Sequence, residues 1–173
     1  MIEYIIGDRR TGRSSKIRED CIRHLYTNTL HRAIILDKYQ RFNLVGIISV
    51  LGSVENIYRF SEGELLNNII RGYVDSEGYT KLYVDNYNEF TTTGQFMIDD
   101  LLYRFKDAML TTANNPNVRE SDIINSIGFS PRIKYRMLDV YGNFLPDNSV
   151  FDILYNHIHP MERMERVCIN KRR

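Results

Sequence analysis

The chain opens on an apolar run, residues 2–6, that stops at Gly7, and Gly12-Arg13-Ser14 follows at a fixed remove. Residues 14–30 then place Ile17, Cys21, Leu25 and Asn28 at helical spacing, with Ile22 beside them. A buried-strand pattern, a loop bounded by glycines and an amphipathic helix in direct succession leave little choice of local fold. The loop fits G-x-x-x-x-G-K-[ST] at every position except that Arg13 stands where Lys is expected. Glycines at those points let backbone wrap an anion, and the following helix aims its first N–H groups at it. Ser14 would place a hydroxyl on Mg²⁺. Arginine in the lysine position is a real departure, because guanidinium is planar and larger than the compact ammonium it replaces. The competing reading is a plain glycine turn joining strand to helix, with Arg9, Arg10, Arg13 and Lys16 solvated.

Composition narrows the class. A chain of 173 residues can bury one substantial core and favours one domain. A net charge of +1 gives no global pull toward nucleic acid or membrane. The longest apolar run, residues 44–51, is interrupted by Gly46 and Ser49 and is too short to span a bilayer. With no charged-then-apolar leader, the expected location is cytoplasmic, the host cytoplasm if the protein is viral. Cys21 and Cys168 lie far apart without metal spacing and read as free thiols. Only three alanines, against abundant Asn, Ile and Tyr, point to an AT-rich coding sequence.

Further along, residues 31–37 read as a short buried strand ending in Asp37, and residues 42–51 are apolar but open between strand and helix. Residues 54–60 lead to Ser61-Glu-Gly-Glu64, a capping-box signal, and a helix over 63–70 is expected. After the turn at 75–78, residues 79–86 read as a strand ending in Asp85 and Asn86. Thr91-Thr-Thr-Gly94 opens a helix from about 95 to 106, and a short strand from Ala108 runs into polar residues 111–115. A helix at 121–127, a strand at 133–140 and a helix at 149–157 complete the pattern. Alternating strands and helices predict an α/β fold, a three-layer sandwich with a mainly parallel sheet.

Such a sheet gathers ligands beyond the carboxyl ends of its strands. Three strand ends carry suitable groups: the loop at 7–14, Asp85, and the polar segment 111–115. Asp85 is the expected carboxylate to hold Mg²⁺, directly or through water, with an acid that merely begins a surface turn as its alternative. Asp37 is its rival, with a capping or surface role as the alternative. His157 and His159 have a two-residue spacing that can bind metal on a strand, but with no third ligand nearby a surface segment bounded by Pro160 is the favoured reading. Twelve tyrosines and the basic stretch 163–173 are candidate nucleic-acid contacts, with sheet packing and a solvated tail as their alternatives.

In this order the motifs resemble the nucleotide-binding core of additional-strand P-loop NTPases, and within them the ATPase core of viral large-terminase (DNA-packaging) subunits. The residues that carry the resemblance are the loop, Ile70-Arg-Gly-Tyr73 before Leu82-Tyr-Val-Asp85, and Met109-Leu-Thr-Thr-Ala-Asn114. It covers residues 1–116 as the nucleotide-binding core and leaves 117–173 as an extension packed on the same domain. It implies a P-loop NTPase-like fold in which Gly7, Gly12, Arg13, Ser14 and Ser15 hold phosphate. Ser14 and Asp85 would hold Mg²⁺, and Thr112 or Asn114 would read the terminal phosphate. Some members carry a basic residue near the start of the loop, a part open to Arg9 or Arg10. The family places a Glu directly after the Asp to orient the attacking water, whereas this chain has Asn86, with Glu89 as the nearest substitute.

The expectation is therefore a nucleoside triphosphate-binding protein, an ATPase of a viral DNA-packaging or DNA-handling machine, with ATP and Mg²⁺ as ligands. Expected partners are DNA, a protein partner or further copies of the chain, and no membrane. The alternative is a degenerate module that binds or assembles without turnover, favoured by Arg13 and Asn86. A small-molecule phosphotransferase is a third reading.

Overall fold

A computed structural model describes residues 1–8, 10–113, 121–122 and 132–159. The chain runs β1 (Ile2–Ile6), α1 (Arg13–Thr27), β2 (Arg32–Asp37), α2 (Val45–Leu51), β3 (Ile57–Phe60), α3 (Glu62–Leu66), β4 (Thr80–Asp85), α4 (Thr92–Leu102), β5 (Ala108–Thr112), β6 (Ile133–Met137) and α5 (Asp147–Ile158). Short 3-10 turns at Ile70–Tyr73 and Tyr87–Glu89 flank β4. The six strands form one sheet in the order β3-β2-β4-β5-β1-β6, and every pairing is parallel. The fold class is therefore α/β with three layers, and the sheet is wholly rather than mainly parallel.

Strand alternation builds the layers. Ile5, Ala33, Ile35, Tyr83 and Met109 face one side and pack with Ile17 and Cys21 of α1 and Ile47 of α2. Ile6, Ile34, Leu36, Val84 and Leu110 face the other and pack with Leu65 of α3, Leu101 of α4 and Leu154 of α5. Side chains covered on both faces explain why β2, β4 and β5 read as near-continuous apolar runs. Residues beyond 116 belong to the same sheet, since β6 pairs with β1 in register from Ile2–Ile133 to Ile6–Met137. Among the described residues no helix is long and apolar enough to cross a membrane.

Several expected elements change shape. The helix expected at 63–70 is α3, which ends at Leu66 because Asn68 takes a left-handed φ of 60°. Its capping box is present: the Ser61 hydroxyl accepts from the Glu64 N–H, and Glu64 accepts from the Ser61 N–H. The ambiguous run 42–51 is helical in α2, and the strand β3 within 54–60 was not expected. Helix α4 starts earlier than expected because Thr91 is its N-cap, accepting from the Gly94 N–H, and it stops at Leu102 rather than at 106. Only Ser121 and Asp122 of the helix expected at 121–127 are described, and both are helical; Cys168 and the basic stretch 163–173 lie outside the described residues.

Buried Glu62 fixes the start of α4, accepting from the Thr91 N–H at 2.9 Å and from the Thr91 hydroxyl. A Cβ on Gly94 would come within 2.5 Å of Glu62 Oε1. Gly94→Ala is accordingly expected to destabilise the fold by about 1–3 kcal/mol in chemical denaturation. An unchanged midpoint would mean that Glu62 can swing away at no cost.

Candidate phosphate and metal site

The carboxyl ends of β1, β2, β4 and β5 converge where the sequence placed its candidates. Gly12 is the N-cap of α1 with φ 82°, a conformation that disfavours any residue with a Cβ. Among the described residues no side chain caps this helix at Gly12, and its first turn holds no acid, so the leading N–H groups that a helix start leaves open have no acid of that turn beside them. Gly7 is needed for a different reason. A Cβ there would sit 2.6 Å from Thr11 Oγ1 and 3.3 Å from Leu138 Cβ. The loop also folds on itself, with the Thr11 hydroxyl donating to the Asp8 carbonyl at 2.7 Å. From outside, the turn after β6 backs the loop: a Cβ on Gly142 would lie 2.8 Å from the Thr11 carbonyl oxygen.

The centre of the site is Asp85, 4% exposed at the end of β4. Its carboxylate accepts from Ser14 Oγ at 3.0 and 2.8 Å, one contact to each oxygen, and from Thr111 Oγ1 at 2.8 Å. Burial holds the Asp85 carboxyl above the ordinary carboxylate range. Asp37 pushes the same way, while the Thr111 and Ser14 hydroxyls and Arg13 oppose it. A hydroxyl and a carboxylate in mutual contact supply hard oxygen donors of the kind Mg²⁺ takes, so these residues fit the ion that the sequence implied.

Arg13 lies beside them. Its Nη2 donates to Asn86 Oδ1 at 3.0 Å, whereas its buried Nη1 has no hydrogen-bond partner among the described residues. Burial pushes the guanidinium down from its usual value, against the attraction of Asp85, Glu89 and Asp8. A buried donor left unmatched is costly, and an anionic acceptor at this point would remove that cost. Asn86 takes a left-handed φ of 54° and donates its N–H to Thr111 Oγ1 at 2.8 Å.

A cleft of about 630 Å³ opens beside Ser14, between the ends of β2 and β4, and reaches Asp37, Lys38, Arg41, Asp85 and Glu89. The loop residues before Ser14, Arg13 among them, are not part of its lining. Ser15 Oγ accepts from Arg18, and exposed Glu89 accepts at its backbone carbonyl from Lys38 Nζ at 3.0 Å.

The two threonines of β5 divide. Thr111 is the residue at Asp85, while Thr112 occupies the next, opposite-facing position and gives its carbonyl to the Gly7 N–H at 3.2 Å. Arg9 and Asn114 lie outside the described residues; Arg10 has φ 70°. Sequence reasoning missed the position of Thr111, and strand alternation from Met109 would have found it once β5 was known to lie beside β4. The His157/His159 pair does not sit on a strand: His157 is in the last turn of α5 and His159 caps it. Cys21 is buried, with its thiol pushed up to about 12 by desolvation, so it has a packing role. No protein-family model and no curated protein sequence matches this chain.

Proposed function

We propose that this protein binds a nucleoside triphosphate with Mg²⁺ at the carboxyl edge of its sheet and hydrolyses it, as an ATPase of a DNA-handling machine of the viral packaging type. One observation carries the reading. The loop hydroxyl and the strand-end acid, singled out separately as partners of one Mg²⁺, are 71 residues apart and in direct hydrogen-bond contact. The uncapped α1 terminus and the unmatched Arg13 Nη1 support an anion between them. So does the position of β5 between loop-bearing β1 and acid-bearing β4, an inserted strand of the kind that the name additional-strand denotes. The DNA and packaging context rests on the resemblance of motif order alone.

On this reading Arg13 and the first N–H groups of α1 neutralise phosphate charge, and Ser14 and Asp85 hold the ion. When bound, Mg²⁺ would supply charge neutralisation at the phosphate oxygens. A second reading, a binding module without turnover, is favoured by Asn86. Its amide oxygen is already taken by Arg13, and an amide does not accept a proton as a carboxylate does.

The test is calorimetric titration with a non-hydrolysable ATP analogue, with and without Mg²⁺, beside a phosphate-release assay with and without DNA. Micromolar, Mg²⁺-dependent binding and turnover are expected. Binding without turnover selects the module, and no binding of ATP or GTP analogues removes the nucleotide reading.

A further inference from the structure

Asp37 ends β2 as Asp85 ends β4, and the two are direct register partners in the parallel ladder. Alternation along β2 puts Asp37 on the face of Ala33 and Ile35, the face covered by α1 and shared with Asp85. Asp37 is 8% exposed and lines the same cleft as Ser14 and Asp85. Its Oδ2 accepts from the Arg41 N–H at 2.7 Å, which fixes the carboxylate, and among the described residues Oδ1 takes no hydrogen bond. It thus offers a held acceptor facing the cleft. The other acids compare poorly. Asp85 already receives two hydroxyls, and Glu89 is exposed on a short turn.

We infer that Asp37 is the carboxylate that positions the attacking water, the task for which the residue after Asp85 supplies only an amide. The inference rests on the nucleotide reading above. In the step, the water oxygen bonds to the terminal phosphorus. The bond from that phosphorus to the bridging oxygen breaks, and its electron pair stays on the nucleoside diphosphate. One water proton passes to Asp37 Oδ1 and on to solvent; the other stays on the released phosphate.

Asp37→Asn keeps an acceptor for the Arg41 N–H, so the turn is preserved while the proton acceptor is lost. The expected result is a fall in kcat of about 100-fold. Affinity for the Mg²⁺-bound non-hydrolysable analogue should stay within about twofold, and affinity for ADP with aluminium fluoride, a transition-state mimic, should fall by at least about tenfold. Turnover in Asp37→Asn close to wild type overturns the inference, as does loss of analogue binding in the variant, which would make Asp37 a ground-state ligand. Wild-type protein that binds the analogue without turning over also overturns it and leaves the binding reading intact. Wild-type protein that binds no analogue overturns the nucleotide reading itself.

Discussion

Arg13→Met is expected to leave the ligand-free fold as stable as the wild type, or more stable, while weakening triphosphate binding by about ten- to a hundredfold. The two effects come from one atom. Nη1 is buried without a partner among the described residues, and an unmatched buried donor costs roughly 1–3 kcal/mol, more when charged. Methionine fills similar space without that demand, and Asn86, partly exposed, can turn its freed oxygen to water. In the complex the balance reverses, because a guanidinium–phosphate hydrogen bond contributes about 1.5–3 kcal/mol that a thioether cannot supply. A site that is destabilising when empty and stabilising when filled is the stability–function trade-off expected of a binding residue. Thermal denaturation and analogue titration on the same two proteins check it. If binding is unchanged in Arg13→Met, the guanidinium faces no phosphate, and Arg13 is a positioning group for Asn86.

How far the sequence carried this site depends on the range of each interaction. Strand, loop and helix at the N-terminus were legible because their signals are local: an apolar run, two glycines at fixed spacing and a helical stripe. The capping box at Ser61 and the acid-ended strand at Asp85 were legible for the same reason. β3 was not, because an edge strand buries little; along Ile57–Phe60 only Phe60 is fully covered. The place of β5 between β1 and β4 left no local trace either, since its register ties Ile2 to Ala108 across the length of the core. From sequence, Asp37 is a rival to Asp85 for which a capping or surface role is the alternative. The structure keeps the capping role, through the Arg41 N–H, and adds burial in the cleft, which only the β2–β4 register reveals. Thr111 was displaced by one residue for a related reason. The choice between adjacent threonines is a choice of sheet face, and a one-residue change of phase inverts it.

Asp85→Asn is the variant for which binding and stability should separate most widely. The carboxylate is almost fully buried and receives the hydroxyls of Ser14 and Thr111, so an amide of the same shape can stay within the pocket. It removes the charge that would hold Mg²⁺, and metal-dependent binding should be lost, leaving only whatever weak affinity the metal-free protein has. Stability in the absence of metal should move the other way, with a defined pH dependence. Burial raises the folded-state affinity of Asp85 for its proton. At acid pH, below the unfolded value of about 3.9, both states carry the proton and the group makes no difference. As pH rises past that value the unfolded chain releases its proton first, and stability falls until the raised folded-state value is passed. Asn cannot ionise, so the variant escapes the penalty. Its melting temperature should exceed that of the wild type at neutral pH, and the gap should close toward pH 3. Added Mg²⁺ and nucleotide should raise the wild-type melting temperature alone. If the wild type instead gains stability relative to the variant as pH rises in metal-free buffer, the hydroxyls of Ser14 and Thr111 outweigh burial, and Asp85 is a satisfied structural anion.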